Sequence, residues 1–280
     1  MKIKIMSDST CDLPAQIIDQ YDITILPLTV LKGEESFLDG VTITPADVFA
    51  HVAAGGDLCT TSACNIADYD AQFARYSPEC DGIIHISLGA NFSSSYQNAC
   101  VAAENYPNVR VIDSMSLSSG QALVVLKACR MAEAGEDLDT IARELLAYVP
   151  KIEGSFVIDR LDYLAKGGRC SAVAMLGANL LHLKPCIELK DGKMTVGKKY
   201  RGPYPSCLAN YVRERLEGRT DIDTDTLFYV KTVISPEADQ AARQGIEQYG
   251  KFDTVVEAVA GCTISCHCGP GTMGIMFARK

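Results

Sequence analysis

The sequence predicts an α/β fold of two lobes. The first has a mostly parallel sheet with helices on both faces, and the second is an α/β lobe with a mixed sheet. Three observations carry this. Short apolar runs alternate with helical segments through the first half, the pattern of strand–helix units around a parallel sheet. A break falls at "YVPKIEGS", where Pro150 follows a long helical region, so the lobes divide as 1–150 and 151–280. Beyond it, "KPCIELKDGKMTVGKKY" reads as two strands joined by a turn at Asp191-Gly192, a hairpin that parallel folds rarely need.

Taken in order, "KIKIM" reads as a strand, Pro14 to Gln20 as a helix and "ITILPLTVL" as extended chain. Thr44-Pro45-Ala46-Asp47 starts a helix well, with a hydroxyl at the cap, proline at the first helical position and a carboxylate in the first turn. "GIIHIS" (82–87) and "VRVID" (109–113) are short strands, each followed by small polar residues and then a helical pattern. In the second half, Ser235-Pro236-Glu237 opens a helix, and the last 25 or so residues are expected to return to strand and turn.

The composition narrows the function classes. With 48% hydrophobic and 22% charged residues the chain reads as an ordinary globular protein. A net charge of -9 argues against nucleic acid as the main partner, because phosphate binding needs a basic field. No apolar run is long enough to span a membrane or to serve as a signal peptide. Twelve cysteines without a secretory signal read as reduced thiols used for packing, so a cytoplasmic protein is expected.

"CHCGPGTMG" near the end invites two other readings. Were 263–268 extended, Cys266 and Cys268 would face one side and His267 the other, and the three would not converge on a metal. The G-x-G-x-x-G pattern of Gly269, Gly271 and Gly274 has only six residues after it, too few for the helix a dinucleotide loop must open. No metal and no nucleotide site is expected.

Polar groups cluster elsewhere. "CTTSACN" (59–65), "NFSSSYQNA" (91–99) and "DSMSLSSG" (113–120) each run into a helical segment, the last two directly after a strand. Any one of these hydroxyls reads well as a helix cap. Three such loops together point to an anion site of hydroxyls and backbone amides at the carboxyl ends of parallel strands. His267, beside the Gly-Pro-Gly turn, is placed to supply that site with positive charge. Ser93, His267 and Asp113 also raise a serine-based acyl ester hydrolase as the alternative, although no G-x-S-x-G elbow is present.

With these residues in view, the chain resembles the DegV family of bacterial fatty-acid-binding proteins, which includes the FakB subunits of fatty acid kinase. The resemblance runs along the whole chain through "SDSTCDL" (7–13), "TTSACN" (60–65), "ISLGANFSSSYQNA" (86–99), "VIDSMSLSSGQ" (111–121), "LDYLAKGGRCS" (161–171), "LKPCIELKDGKM" (183–194), "KKYR" (198–201) and "CHCGPGTMGI" (266–275). It implies two α/β lobes with one long-chain fatty acid between them and no other cofactor. The matching positions for the carboxylate are Thr61, Ser93 and His267, with Ser62 and Ser94 as supporting candidates. Arg169 and Arg201 match basic residues that face a separate ATP-binding kinase subunit, and "SAVAMLGANLL" (171–181) would wall the acyl tunnel. The chain departs from the family pattern at Cys64, Asn65 and Ser94, the last standing where a glycine is usual.

Overall fold

In a computed structural model that describes residues 1–170 and 183–280, the alternation of the first half becomes a four-stranded parallel sheet. The stretch at 171–181 expected to wall a tunnel lies outside the described residues. β1 (Ile3–Asp8) leads through α1 (Ala15–Gln20) to β2 (Thr24–Leu26). Pro27 follows, and a proline has no N–H to give a ladder. The apolar stretch at 23–31 therefore divides between two sheets: Leu28 donates its amide to Ser9 Oγ, and β3 (Thr29–Lys32) pairs elsewhere.

Its partners are β4 (Glu35–Leu38) and, beyond α2 (Pro45–Ala53), β5 (Thr60–Ser62), in a small antiparallel sheet ordered β4-β3-β5. Nothing in the residue pattern announces this sheet. The start of α2 is as expected. The Asp47 amide donates to Thr44 Oγ1 at 3.3 Å while the Thr44 amide donates to Asp47 Oδ2 at 2.9 Å, a reciprocal cap.

α3 (Ile66–Tyr76), β6 (Gly82–Ser87), α4 (Ser95–Ala103), β7 (Val109–Asp113), α5 (Ser119–Glu133) and α6 (Leu138–Tyr148) complete the first half. The parallel sheet is ordered β2-β1-β6-β7. β6 is buried at every residue, so both of its faces are covered.

The second half builds a six-stranded mixed sheet. Its strands are β8 (Ile152–Ile158), β9 (Leu183–Lys190), β10 (Lys193–Arg201), β11 (Ile222–Lys231), β12 (Thr254–Val259) and β13 (Thr272–Arg279). They are ordered β10-β9-β8-β13-β11-β12, with only β11 and β12 parallel. The β9–β10 hairpin turns at Asp191 and Gly192, whose φ angles of 50° and 70° are those of a type I′ turn. The helices among the described residues of this half are α7 (Asp162–Gly167), α8 (Tyr204–Leu216), α9 (Pro236–Tyr249) and α10 (Cys262–Cys268).

The long helix α5 joins the two halves. It packs against β1 and β6 on one side and against β8, β11 and β13 on the other. Ala122, Val124, Val125 and Ala128 are fully buried, and such short side chains let two sheets approach one helix. One continuous apolar core results, running from Ile5 and Ile84 to Phe156 and Met276.

α10 corrects the expectation that the closing residues are only strand and turn. A seven-residue helix is marginal by itself. Two carboxylates from loops of the first half hold it. The Gly261 amide donates to Asp12 Oδ1 at 2.8 Å, and the amides of Cys262 and Thr263 donate to the two Asp39 oxygens at 2.8 and 3.2 Å. These amides at the helix start would otherwise have no acceptor. In a helix, successive side chains turn by about 100°, so Cys266 packs with Cys59, Cys262 and Val30 while His267 points to another face.

Candidate functional site

β5 and α10, more than 200 residues apart in sequence, bring Thr61 and His267 together. Strand alternation leaves Thr60 and Ser62 exposed and turns Thr61 inward, where its hydroxyl lies 2.8 Å from His267 Nε2. The imidazole is fixed from two directions. Asp12 and Asp39 hold the start of its helix, and Gly167 lies so close that a Cβ there would come within 2.4 Å of His267 Nδ1. The glycines after it make a turn: Gly269 and Gly271 have φ of 73° and 75°, a conformation glycine adopts without strain, and Gly274 already belongs to β13.

Ser93 approaches from the loop between β6 and α4. Its Oγ accepts from the Ser95 amide at 3.2 Å and lies 2.9 Å from Ser95 Oγ, which ties the loop to the first residue of α4. Thr61, Ser93 and His267 line one cleft, with Arg169 at its rim. The supporting candidates Ser62 and Ser94 are exposed and do not line it. The loop at 113–120 contributes Leu117 rather than a hydroxyl; its Ser118 donates instead to Asp12 Oδ2 at 2.5 Å. Two hydroxyl loops therefore reach the site, not three. The departures Cys64 and Asn65 have structural roles. Asn65 Oδ1 accepts from the Asp68 amide at 3.0 Å to cap α3, and buried Cys64 donates to the Pro27 carbonyl.

Away from this polar end the cleft is apolar, walled by Leu28, Leu88, Phe92, Leu117, Met194 and Ile264. With its open side included it spans about 510 Å³. A second apolar hollow of about 270 Å³ shares Leu117, Ile264 and Cys268 with it and reaches Phe156 and Met276 of the mixed sheet. One larger hollow, of about 940 Å³, has a different chemistry: it is lined by Glu153, Glu188 and Arg215, the arginine pairing with both carboxylates.

The electrostatics correct one expectation. Burial, with a smaller contribution from the Arg169 charge, pushes His267 down to about 4. The imidazole is neutral at physiological pH, so it offers the cleft a hydrogen bond and not a charge. The positive charge comes from Arg169, whose Nη1 donates to the Gly167 carbonyl at 2.7 Å and so keeps the side chain beside the site. Arg201 lies apart, exposed beside Asp159, Lys184 and Tyr204. Ser93, His267 and Asp113 form no triad. Asp113 Oδ1 accepts from the amides of Ala90 and Met115, at 3.1 and 2.8 Å, and none of the three hydrogen-bonds another among the described residues. The described residues hold no cluster of three metal-ligating side chains, and none of their helices is long and apolar enough to cross a membrane.

The profile of one known family matches residues 2–280, from the first strand to the last residue. The chain belongs to the DegV family. A DegV domain-containing protein of Clostridium acetobutylicum is 34% identical, covering 100% of this chain and 99% of its own. Among solved structures, a fatty-acid-binding DegV family protein from Thermus thermophilus is 25% identical with a TM-score of 0.90, and 100% of both chains is covered. A stearic acid-binding protein from Eubacterium ventriosum is 27% identical with a TM-score of 0.86, covering 99% of this chain and 98% of its own.

Three contributors to this DegV site escape the residue pattern. Asp12 lies in a quoted motif but carries no sign of its partner 249 positions away, and Asp39 is equally silent. Thr263 stands four residues before His267, a spacing that places both on one face only once 262–268 is known to be helical.

Proposed function

We propose that this chain binds one long-chain fatty acid, its carboxylate at Thr61, Ser93 and His267 and its alkyl chain along the apolar cleft. The observation that carries the reading is the division of one cleft into a polar end, with two hydroxyls, an imidazole and a nearby guanidinium, and an apolar remainder. The structurally similar proteins described as fatty-acid-binding and stearic acid-binding support it. Burying some 14 methylenes at about 0.8 kcal/mol each gives roughly 11 kcal/mol of gross transfer free energy. Ordering a flexible ligand takes back several kcal/mol, which still leaves tight binding. The carboxylate needs hydrogen-bond donors in such a place, and Thr61, Ser93 and His267 are that set.

In this reading the chain is a cytoplasmic carrier and not an enzyme, with lobes 1–150 and 151–280 contributing opposite sides of the ligand site. It needs no cofactor. The bound carboxylate is presented to a separate ATP-binding kinase subunit that docks on Arg169 and Arg201.

Protein purified from bacteria is expected to show, in native mass spectrometry, one added mass per chain equal to a common long-chain fatty acid. Ser93→Ala should lower its occupancy. Protein without such a mass, and without uptake of added palmitate or oleate, would sink the carrier reading. The kinase step has its own test. With a kinase subunit and ATP, Arg201→Glu should stop acyl phosphate formation while the acid stays bound; undiminished acyl phosphate would remove Arg201 from the docking face.

A further inference from the structure

Thr263 lines the cleft and carries a polar atom that nothing among the described residues uses. The residue is 4% exposed and lines the cleft beside Ile264 and His267. Its Oγ1 is buried and has no hydrogen-bond partner among the described residues. The reason lies in its position on α10. A threonine hydroxyl inside a helix can turn back to the carbonyl four residues earlier, but here that residue is Val259, the end of strand β12. The amide of Thr263 is already given to Asp39, so the hydroxyl plays no part in capping.

We propose that the cleft selects acyl ligands that carry a hydroxyl group on the chain a few carbons from the carboxylate, with Thr263 Oγ1 as its hydrogen-bond partner. This rests on the fatty acid reading above and names its ligand class. Thr263 and His267 are four residues apart on one helical face, about 6 Å along the axis. A chain whose carboxylate is held at His267 passes Thr263 within its first several carbons. An unsubstituted chain leaves a buried hydroxyl unpaired there, whereas a hydroxylated one completes it.

The test compares palmitate, 3-hydroxypalmitate and 12-hydroxystearate by calorimetric titration of delipidated protein and of Thr263→Val, which keeps the branched shape and loses only the hydroxyl. For the unaltered protein, 3-hydroxypalmitate should bind roughly 3- to 10-fold more tightly than palmitate, the worth of one net hydrogen bond. The far hydroxyl of 12-hydroxystearate should bring no gain. In Thr263→Val the preference should vanish or reverse. Equal affinities for palmitate and 3-hydroxypalmitate, or a preference that survives in Thr263→Val, would overturn the inference and leave the carrier reading standing. Absence of binding by all three acids would instead overturn the carrier reading itself.

Discussion

Replacing His267 with alanine is expected to weaken long-chain fatty acid binding by roughly 10- to 150-fold, because a hydrogen bond to a charged group contributes about 1.5–3 kcal/mol. The fold should persist. His267 sits near the C-terminal end of α10, and the bonds that hold that helix belong to Asp12 and Asp39 at its start. Titration with oleate measures the affinity, and circular dichroism checks the fold. An unchanged dissociation constant would remove His267 from the head-group site.

The same variant reads out the state of the imidazole. Burial lowers His267 to about 4, against the ordinary 6.5 that the unfolded chain retains. Between those values the unfolded chain binds the extra proton. Stability tied to the neutral ring is therefore fully present above pH 6.5 and is lost as pH falls through about 4. The full difference corresponds to about 3 kcal/mol. Melting curves across this window should fall more steeply for the native chain than for His267→Ala, and parallel curves would contradict a buried neutral ring.

Local signals made much of the fold legible. Thr44, Pro45 and Asp47 specify the start of α2 without help from the rest of the chain, and Asp191-Gly192 specifies a hairpin through its backbone preferences. Three hydroxyl loops and a histidine beside glycines were legible as a candidate anion site, and the family resemblance singled out Thr61, Ser93 and His267 among them. Their convergence was not legible in those patterns. It depends on α10 being helical, and that helix is too short to show a period and is capped by residues from far along the chain. The source of charge was hidden for a related reason. Histidine reads as the cation by type, but burial neutralises it, and Arg169 takes the role because the fold brings it beside His267.

The strongest expected effect on stability lies at Asp39. Its two oxygens accept from the Ser9 hydroxyl at 2.9 Å and from the amides of Cys262 and Thr263 at 2.8 and 3.2 Å. Asp39→Ala leaves both amides without an acceptor in a buried place, at about 1–3 kcal/mol each. One effect opposes this. Burial raises Asp12 to about 8, and the Asp39 charge adds to that rise, so removing Asp39 eases ionisation of Asp12. Repulsion from Asp39 is the smallest of the causes acting on Asp12, below burial and below the bonds from Ser118 and Gly261, so the lost caps decide the sign. A net loss of roughly 3–5 kcal/mol should lower the melting temperature by roughly 10 °C. Asp39→Asn, which keeps one acceptor oxygen, should fall between the two. Because α10 carries His267, fatty acid affinity should also drop in Asp39→Ala at temperatures where the protein is still folded. A melting point within a degree of the native protein, with affinity unchanged, would show that the Asp39 clamp does not position this helix.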